Sequence, residues 1–480
     1  MVFRLSFLLL AALLVASCAP ALSSPVPAAS SPLPSAAPAS VPPPTPGPPS
    51  YARSVLLARW DSQSRHHLLS PVDPATGNPL PGYSSLDLGV NYYYAFSPDH
   101  RTLAFISYQD DSASSPALHL VDLAAWQEHS YPLDLPGWVS AIAFSPDGRK
   151  LAVASIYRER DLLIFDLPSA SVTAQVRPDF DITHLRFTRD GLSLMAYGRV
   201  LADRFTENER SEGPARASLL DSQDLSVSWS AELTGVLDGV YAVSAGSTDV
   251  HEPGKGRYFQ PGVVFAPDAD VLYIVHADQD RLTRVDFARR RFQTRDILPR
   301  LSLWERFLML GAHTAYAKAA NGVTRQTVVS PDGQLLYTTG MKNDMHQLPK
   351  GDWEYTSTGL GLQVIRLSDG AKLFQYGGSA ESLKISEDGK RLYLTGSTGS
   401  ASTTLPQTTL LDADTGSVIA HLEGAYAVPA RRMDGDVILV SSDSLPDDPE
   451  SAHMAVYDYS TGGLLAEWVG PSTAYWITEQ

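Results

Sequence analysis

Three stretches of this 480-residue chain gather the side chains that could do chemistry. The first, HEPGKGRYFQPG, brings His251, Glu252, Lys255, Arg257 and Tyr258 together. An imidazole, a guanidinium and a phenol side by side suit an anionic or sugar-like group, and the same composition also describes a solvated loop. The second, MKNDMHQLPKGDWEY, offers Asp344 and His346 one residue apart, with Asp352, Trp353 and Glu354 beyond. A carboxylate and an imidazole both ligate metals, but a site needs three or four ligands and this spacing does not supply them, so no metal is expected. The third, SDSLPDDPESAH, carries Asp443, Asp447, Asp448, Glu450 and His453 without the alternating ligand spacing of an EF-hand loop. An acidic solvated loop is the plainer reading there. The binding candidates are therefore His251, Glu252, Arg257, Tyr258, Asp344, His346 and Trp353.

Nucleophilic chemistry finds no support. The chain has no Gly-x-Ser-x-Gly elbow, no Gly-x-x-x-x-Gly-Lys phosphate loop, no His-Glu-x-x-His pair, and a single cysteine, Cys18. No catalytic residue and no cofactor is expected. Carboxylates paired across a channel remain open, because spacing along the chain does not say which segments face each other.

The elements that would position these stretches are written in a repeat. AFSPDGRKLAVAS, Ala143 to Ser155, reads as an apolar strand, a tight turn and a second apolar strand, and related copies centre on Asp99, Asp147, Asp190, Asp268, Asp332, Asp388 and Asp434. Successive copies lie 48, 43, 78, 64, 56 and 46 residues apart. A period of about 40 to 50 residues with four short strands per unit predicts an all-β fold, a β-propeller, with insertions where the spacing widens. In the turn, Pro presets φ, Asp bonds back to its own backbone and Gly takes φ > 0, so the Asp-Gly pairs are read as structural rather than catalytic. This is the hairpin between the innermost strand of a blade, a, and the next, b.

A second repeat follows each copy, as in LVDLAAWQ, IFDLPSAS and LLDADTGS, and reads as the turn between strands c and d. An extra member around Asp73 precedes the first Ser-Pro-Asp copy, and PSTAYWITEQ is left over after the last strand d. Residues 54 to 89 would then supply strands b, c and d, and the C-terminal segment the missing strand a. Eight blades closed by strands from both termini are expected, since closure removes open edges. Seven blades with 54 to 89 as an added strand layer is the alternative. With a–b and c–d turns short, the long connections (108 to 117, 199 to 216, 232 to 262, 298 to 326, 341 to 361, 397 to 407 and 442 to 453) fall at b–c or d–a, all on one face. Loops on a rigid scaffold are where binding lives, which makes this the face of interest. Within 298 to 326, Leu303, Trp304, Phe307 and Leu308 approach helical spacing, predicting a short helix over the ring.

The N-terminus is of another kind. Arg4 precedes an apolar run, Leu5 to Val15, too short to span a bilayer, and small residues follow, as in a secretory signal. Residues 19 to 50 are rich in proline, alanine and serine and carry no charge, so they cannot bury a core and read as an extended tether. The chain thus divides into a signal peptide (1–17), Cys18 with its tether (18–50) and one propeller domain (51–480). A net charge of −16 and a pI near 5.1 would repel polyanions, so nucleic acid is not an expected partner. No later stretch reaches 18 consecutive apolar residues.

Two resemblances attach to these residues. Val15-Ala16-Ser17-Cys18 resembles the lipobox of bacterial lipoproteins, which implies that Cys18 is acylated through its thiol and becomes the mature N-terminus, held at a membrane. Ala19 after it implies the outer membrane or cell surface. The Ser-Pro-Asp-Gly copies resemble the WD-like and YVTN-type β-propellers of exported bacterial proteins, over roughly 51 to 480. Together they imply a lipid-anchored monomer in the cell envelope that binds a protein, peptide or glycan through its loop-rich face without catalysis. A lactonase-like or quinoprotein-like enzyme with a site at the channel mouth is the alternative.

Overall fold

The computed structural model describes residues 55–61, 63–90, 92–108, 116–156, 160–201, 212–242, 256–299, 322–347, 353–377, 380, 382–396, 407–423, 426–430, 437–445, 448–471 and 475–477. These form eight sheets of at least four strands, seven of them antiparallel and the one of blade 5 mixed, with no helix among the described residues. Blade 2 shows the plan: Trp138–Phe144, Lys150–Ile156, Leu162–Asp166 and Ser171–Val176 run as a four-stranded meander from inner to outer edge. Blades 1, 3, 4, 5, 6 and 7 repeat it, with inner strands Tyr92–Phe96, Asp181–Phe187, Gly262–Phe265, Gly322–Val329, Ser382–Ile385 and Tyr426–Ala430.

Blade 8 is made from both ends of the chain. The strand Tyr475–Ile477 pairs antiparallel with Val55–Asp61, which pairs with His66–Val72 and, through it, with Leu86–Asp87. The seven-blade alternative fails because Val55–Asp61 has its own inner strand rather than lying outside another blade. Closure is sealed by packing. Apolar clusters lie between every adjacent pair of blades, including Val55, Leu57 and Trp476 against Val437 and Leu439 on one side of blade 8, and Leu56 and Leu69 against Leu103 and Phe105 on the other. The central strands are mostly apolar, as at Leu151–Ala154 and Leu162–Ile164, because each blade buries both faces against its neighbours.

The repeated turn has the structural role expected of it. The Ser145 hydroxyl donates to Asp147 Oδ1 at 2.6 Å, the Arg149 N–H donates to the same oxygen at 3.1 Å, and the Lys150 N–H donates to Ser145 Oγ at 2.9 Å. Ser97–Asp99, Thr188–Asp190, Ser330–Asp332 and Ser386–Asp388 repeat the first bond. Gly148 supplies φ = 69°, while the first copy places His100 at φ = 56° in its stead. Successive turns also touch: a Cβ on Gly389 would stand 2.7 Å from Pro331 of the preceding blade.

One expectation about the turns needs correction. The c–d connection of blade 8 is long, from Asp73 to Ser85, and its outer strand is only Leu86–Asp87. Asp73 still caps its own turn, accepting the Ala75 N–H at 2.9 Å, so the sequence signal was local and gave no measure of the distance to the next strand.

Candidate functional site

The long connections fall on one side of the ring, that of the b–c and d–a links, and three of them build a structure of their own. The d–a link between blades 3 and 4 folds into a hairpin, Gly239–Ala242 with Gly256–Gln260. Its second strand pairs in parallel with the start of blade 5's inner strand, at Tyr258↔Gly322, Phe259↔Val323 and Gln260↔Thr324. Strand Leu335–Gln347 of blade 5 overruns its blade and turns back as Trp353–Gly359. One five-stranded extension results. A single row crosses it: Val240, Tyr258, Gly322, Asn343 and Ser357.

Small residues allow this join. At Gly322 an added Cβ would touch Tyr258 Cβ at 3.6 Å and Asn343 Cβ at 3.8 Å, so the gap between those two side chains is filled by nothing larger than hydrogen. At Gly340 a Cβ would overlap the Thr324 carbonyl oxygen. The Ser357 hydroxyl donates to Asn343 Oδ1 at 2.7 Å and the Tyr258 hydroxyl to Gln260 Oε1 at 3.2 Å. The hairpin is tied to blade 3 at its foot, where the buried Tyr197 hydroxyl donates to Asp238 Oδ2 at 2.9 Å. Burial raises the Asp238 carboxyl above its ordinary range, opposed by that hydrogen bond and by Arg199.

Four of the sequence candidates are thereby joined to a fifth. Arg257 and Tyr258 lie on one strand of the extension, Asp344 and His346 on another, and Trp353 opens the fifth strand opposite Gln347. Tyr258 is exposed, Arg257 is half-buried with its Nε lacking a hydrogen-bond partner, and Asp344 is paired with Lys342 Nζ at 3.0 Å. Cys18, His251 and Glu252 lie outside the described residues, as do the helix expected over Leu303 to Leu308 and, within the acidic stretch before His453, Asp447; the rest of that stretch is not a loop but the paired ends of the blade 7 strands Val437–Leu445 and Asp448–Asp458. His453 itself pairs with Glu467 at 3.0 Å across neighbouring strands of blade 7.

A second feature was missed by sequence reasoning. The inner strands of blades 1 to 4 bound a cavity of about 620 Å³ whose walls include Tyr93 and Tyr94, Ile142, His184 and Phe265. His67 of blade 8, paired with Trp60 across its own hairpin, joins them. The His184 ring meets Tyr197 edge-on with centroids 5.7 Å apart, and burial brings its pKa down to about 4, so it is a neutral imidazole at pH 7. The signal was present in the register of the repeat. Counting back three residues from the last residue of each inner strand gives Tyr93, Ala141, His184 and Gly262, and the imidazole departs from the small or aromatic residues of its equivalents. Among the described residues no three His, Cys, Asp or Glu converge as metal ligands.

One constellation elsewhere has the form of a nucleophile relay. His119 Nε2 lies 2.6 Å from Ser107 Oγ, its Nδ1 faces Glu128, and its ring stacks on Phe105. Ser107 is 1% exposed and His119 8%, so no substrate reaches the hydroxyl. The three residues stand on adjacent strands of blade 1 and tie it together.

No protein-family model matches this sequence, nor does any curated protein. Solved structures do. Dihydro-heme d1 dehydrogenase NirN in complex with DHE is similar over 91% of this chain and 77% of that one, at 12% identity and a TM-score of 0.54. Hydrazine synthase of Kuenenia stuttgartiensis covers 82% and 99% at 14% identity and 0.41, and the β-propeller domain of Myceliophteria thermophila Cps50 (Swd1) covers 77% and 93% at 12% and 0.39. At these identities the likeness is one of fold. This chain has an eight-bladed β-propeller fold.

Proposed function

We propose that this protein is a lipid-anchored, extracytoplasmic β-propeller that binds a protein, peptide or glycan through the five-stranded extension on its long-connection side, without catalysis. The observation that carries the reading is the row Val240, Tyr258, Gly322, Asn343 and Ser357, by which links from three separate parts of the chain become one presented surface. A rigid ring that spends its longest connections on a shared sheet is built to display it. The lipobox-like Val15-Ala16-Ser17-Cys18, the proline-rich tether and the YVTN-type repeats support a monomer in the cell envelope, at the outer membrane or cell surface. Several acyl chains at Cys18 would hold it there, at roughly 0.8 kcal/mol per buried methylene.

Two experiments test this. In a pull-down from membranes, intact protein should recover a partner that is lost when 232 to 262 and 341 to 361 are shortened; equal recovery would count against the extension as the binding surface. Cys18→Ala should release the protein from membranes, and its retention there would contradict the anchor.

An enzyme at the channel is the second reading, and the cavity is the observation that favours it. Its walls bring two imidazoles, His67 and His184, but no carboxylate or guanidinium to act with them. Ser107 is not a substitute, and a fluorophosphonate probe should leave the native protein unlabelled.

A further inference from the structure

We propose that the cavity bounded by the inner strands of blades 1 to 4 is a binding site for a neutral, planar aromatic molecule. This is independent of the partner surface on the five-stranded extension.

The size of the cavity, about 620 Å³, lies within the range of small-molecule sites. Its walls exclude other ligand classes by their chemistry. Among the described residues no Lys, Arg, Asp or Glu lines it, so a phosphate, sulfate or carboxylate would lose its hydration without gaining a counter-charge from them. A sugar would need several hydrogen-bonding groups, yet the two aliphatic hydroxyls are already engaged. Ser140 donates to the Ile182 carbonyl at 2.6 Å, and Thr183 Oγ1 lies 3.0 Å from His184 Nδ1 and 3.4 Å from the Tyr197 carbonyl.

What the walls do offer is ring surface. Tyr93, Tyr94 and Phe265 come from two different inner strands, with the imidazoles of His67 and His184 between the aliphatic side chains of Val90, Ile142 and Leu185. Tyr93 is 40% exposed although it sits on an inner strand, whereas Val172, Val227, Val418 and Leu464 show their exposed apolar surface on the outermost strands. An aromatic side chain left partly uncovered toward a cavity gives a flat ligand a face to stack on. The neutral His184 adds a polar edge without adding charge.

Fluorescence titration of the full chain tests the site with two probes, neutral 1-aminoanthracene and the anion 8-anilinonaphthalene-1-sulfonate. The neutral probe should bind saturably at one site, at least tenfold more tightly than the sulfonate. Tyr93→Ala should weaken it roughly five- to tenfold with an unchanged thermal midpoint, because the side chain is partly exposed. Tyr93→Phe, which keeps the ring, should stay within about twofold, and Val172→Ala on an outer strand should match the parent. Absence of saturable binding, equal affinity for the sulfonate, or unaltered binding by Tyr93→Ala would each overturn the proposal.

Discussion

On the side of the short turns, Ser145 and Asp147 bond to each other and to the backbone of their own hairpin, and the same arrangement returns blade after blade. On the side of the long connections, Tyr258 stands in one row with Asn343 and Ser357, although 85 residues or more separate it from them in sequence. The hairpins of the first side satisfy their own turn groups locally, and bonds such as Arg189 to the Asp268 carbonyl tie them to the neighbouring blade. The second depends on joins between segments, and places where chains must approach closely, such as Gly322 and Gly340, become its weak points. Two sets of loops on one ring thus differ in range of contact: local bonds make the scaffold, and distant ones make the surface.

The sharpest way to break this contrast is at Gly340. Gly340→Val would force a side chain into the Thr324 carbonyl and should cost on the order of 2–4 kcal/mol. Hydrogen exchange should show lost protection in Gly322–Val329 and Leu335–Gln347, with the hairpin of blade 2 still protected. Uniform loss around the ring would mean that the two sides are not separable.

Tyr197→Phe comes next. It strips Asp238 of its buried hydroxyl donor and should cost about 1–3 kcal/mol. The raised carboxyl of Asp238 opposes folding once ionised, so the loss should grow as pH rises from about 4, where the unfolded carboxyl ionises. Urea titrations at pH 4 and pH 7 measure it, and a pH-independent loss would contradict the assignment.

The short-turn side titrates the other way. Hydrogen bonds from Ser145, Ser97 and Thr188 hold Asp147, Asp99 and Asp190 below the usual carboxylate range, and Ser460 and Thr461 bring Asp458 to about 2. Their contribution is present above the ordinary Asp pKa and is lost as pH falls below it through the lowered folded values. Ser145→Ala should therefore cost about 1 kcal/mol at pH 7, and its difference from the parent should close in that acid window. The smallest effect belongs to His100, whose φ of 56° suits glycine; His100→Gly should gain about 0.5–1 kcal/mol in a denaturant midpoint.

The ring was legible in the sequence because its signals are local. Ser-Pro-Asp-Gly turns and Asp-capped c–d turns bond to their own neighbours, and the unmatched strand at Tyr475–Ile477 followed from counting them. The same locality explains the missed c–d link of blade 8, where Asp73 marks a turn but not the residues after it. The long connections were visible as insertions on one side, whereas their union was not, since nothing in RYFQ or MKNDM announces a parallel pairing of Tyr258 with Gly322. The cavity escaped for a related reason. Its walls are short groups of residues from five blades, His67 of blade 8 among them, and no window of sequence contains more than a few of them.

The central claim is that partners meet the long-connection side. A photo-crosslinking residue placed at Tyr258 and, separately, at the exposed Arg149 of a short turn tests it in intact cells. The account predicts a discrete crosslinked species from position 258 and none from 149; crosslinks from 149 alone, or the same species from both, would contradict it.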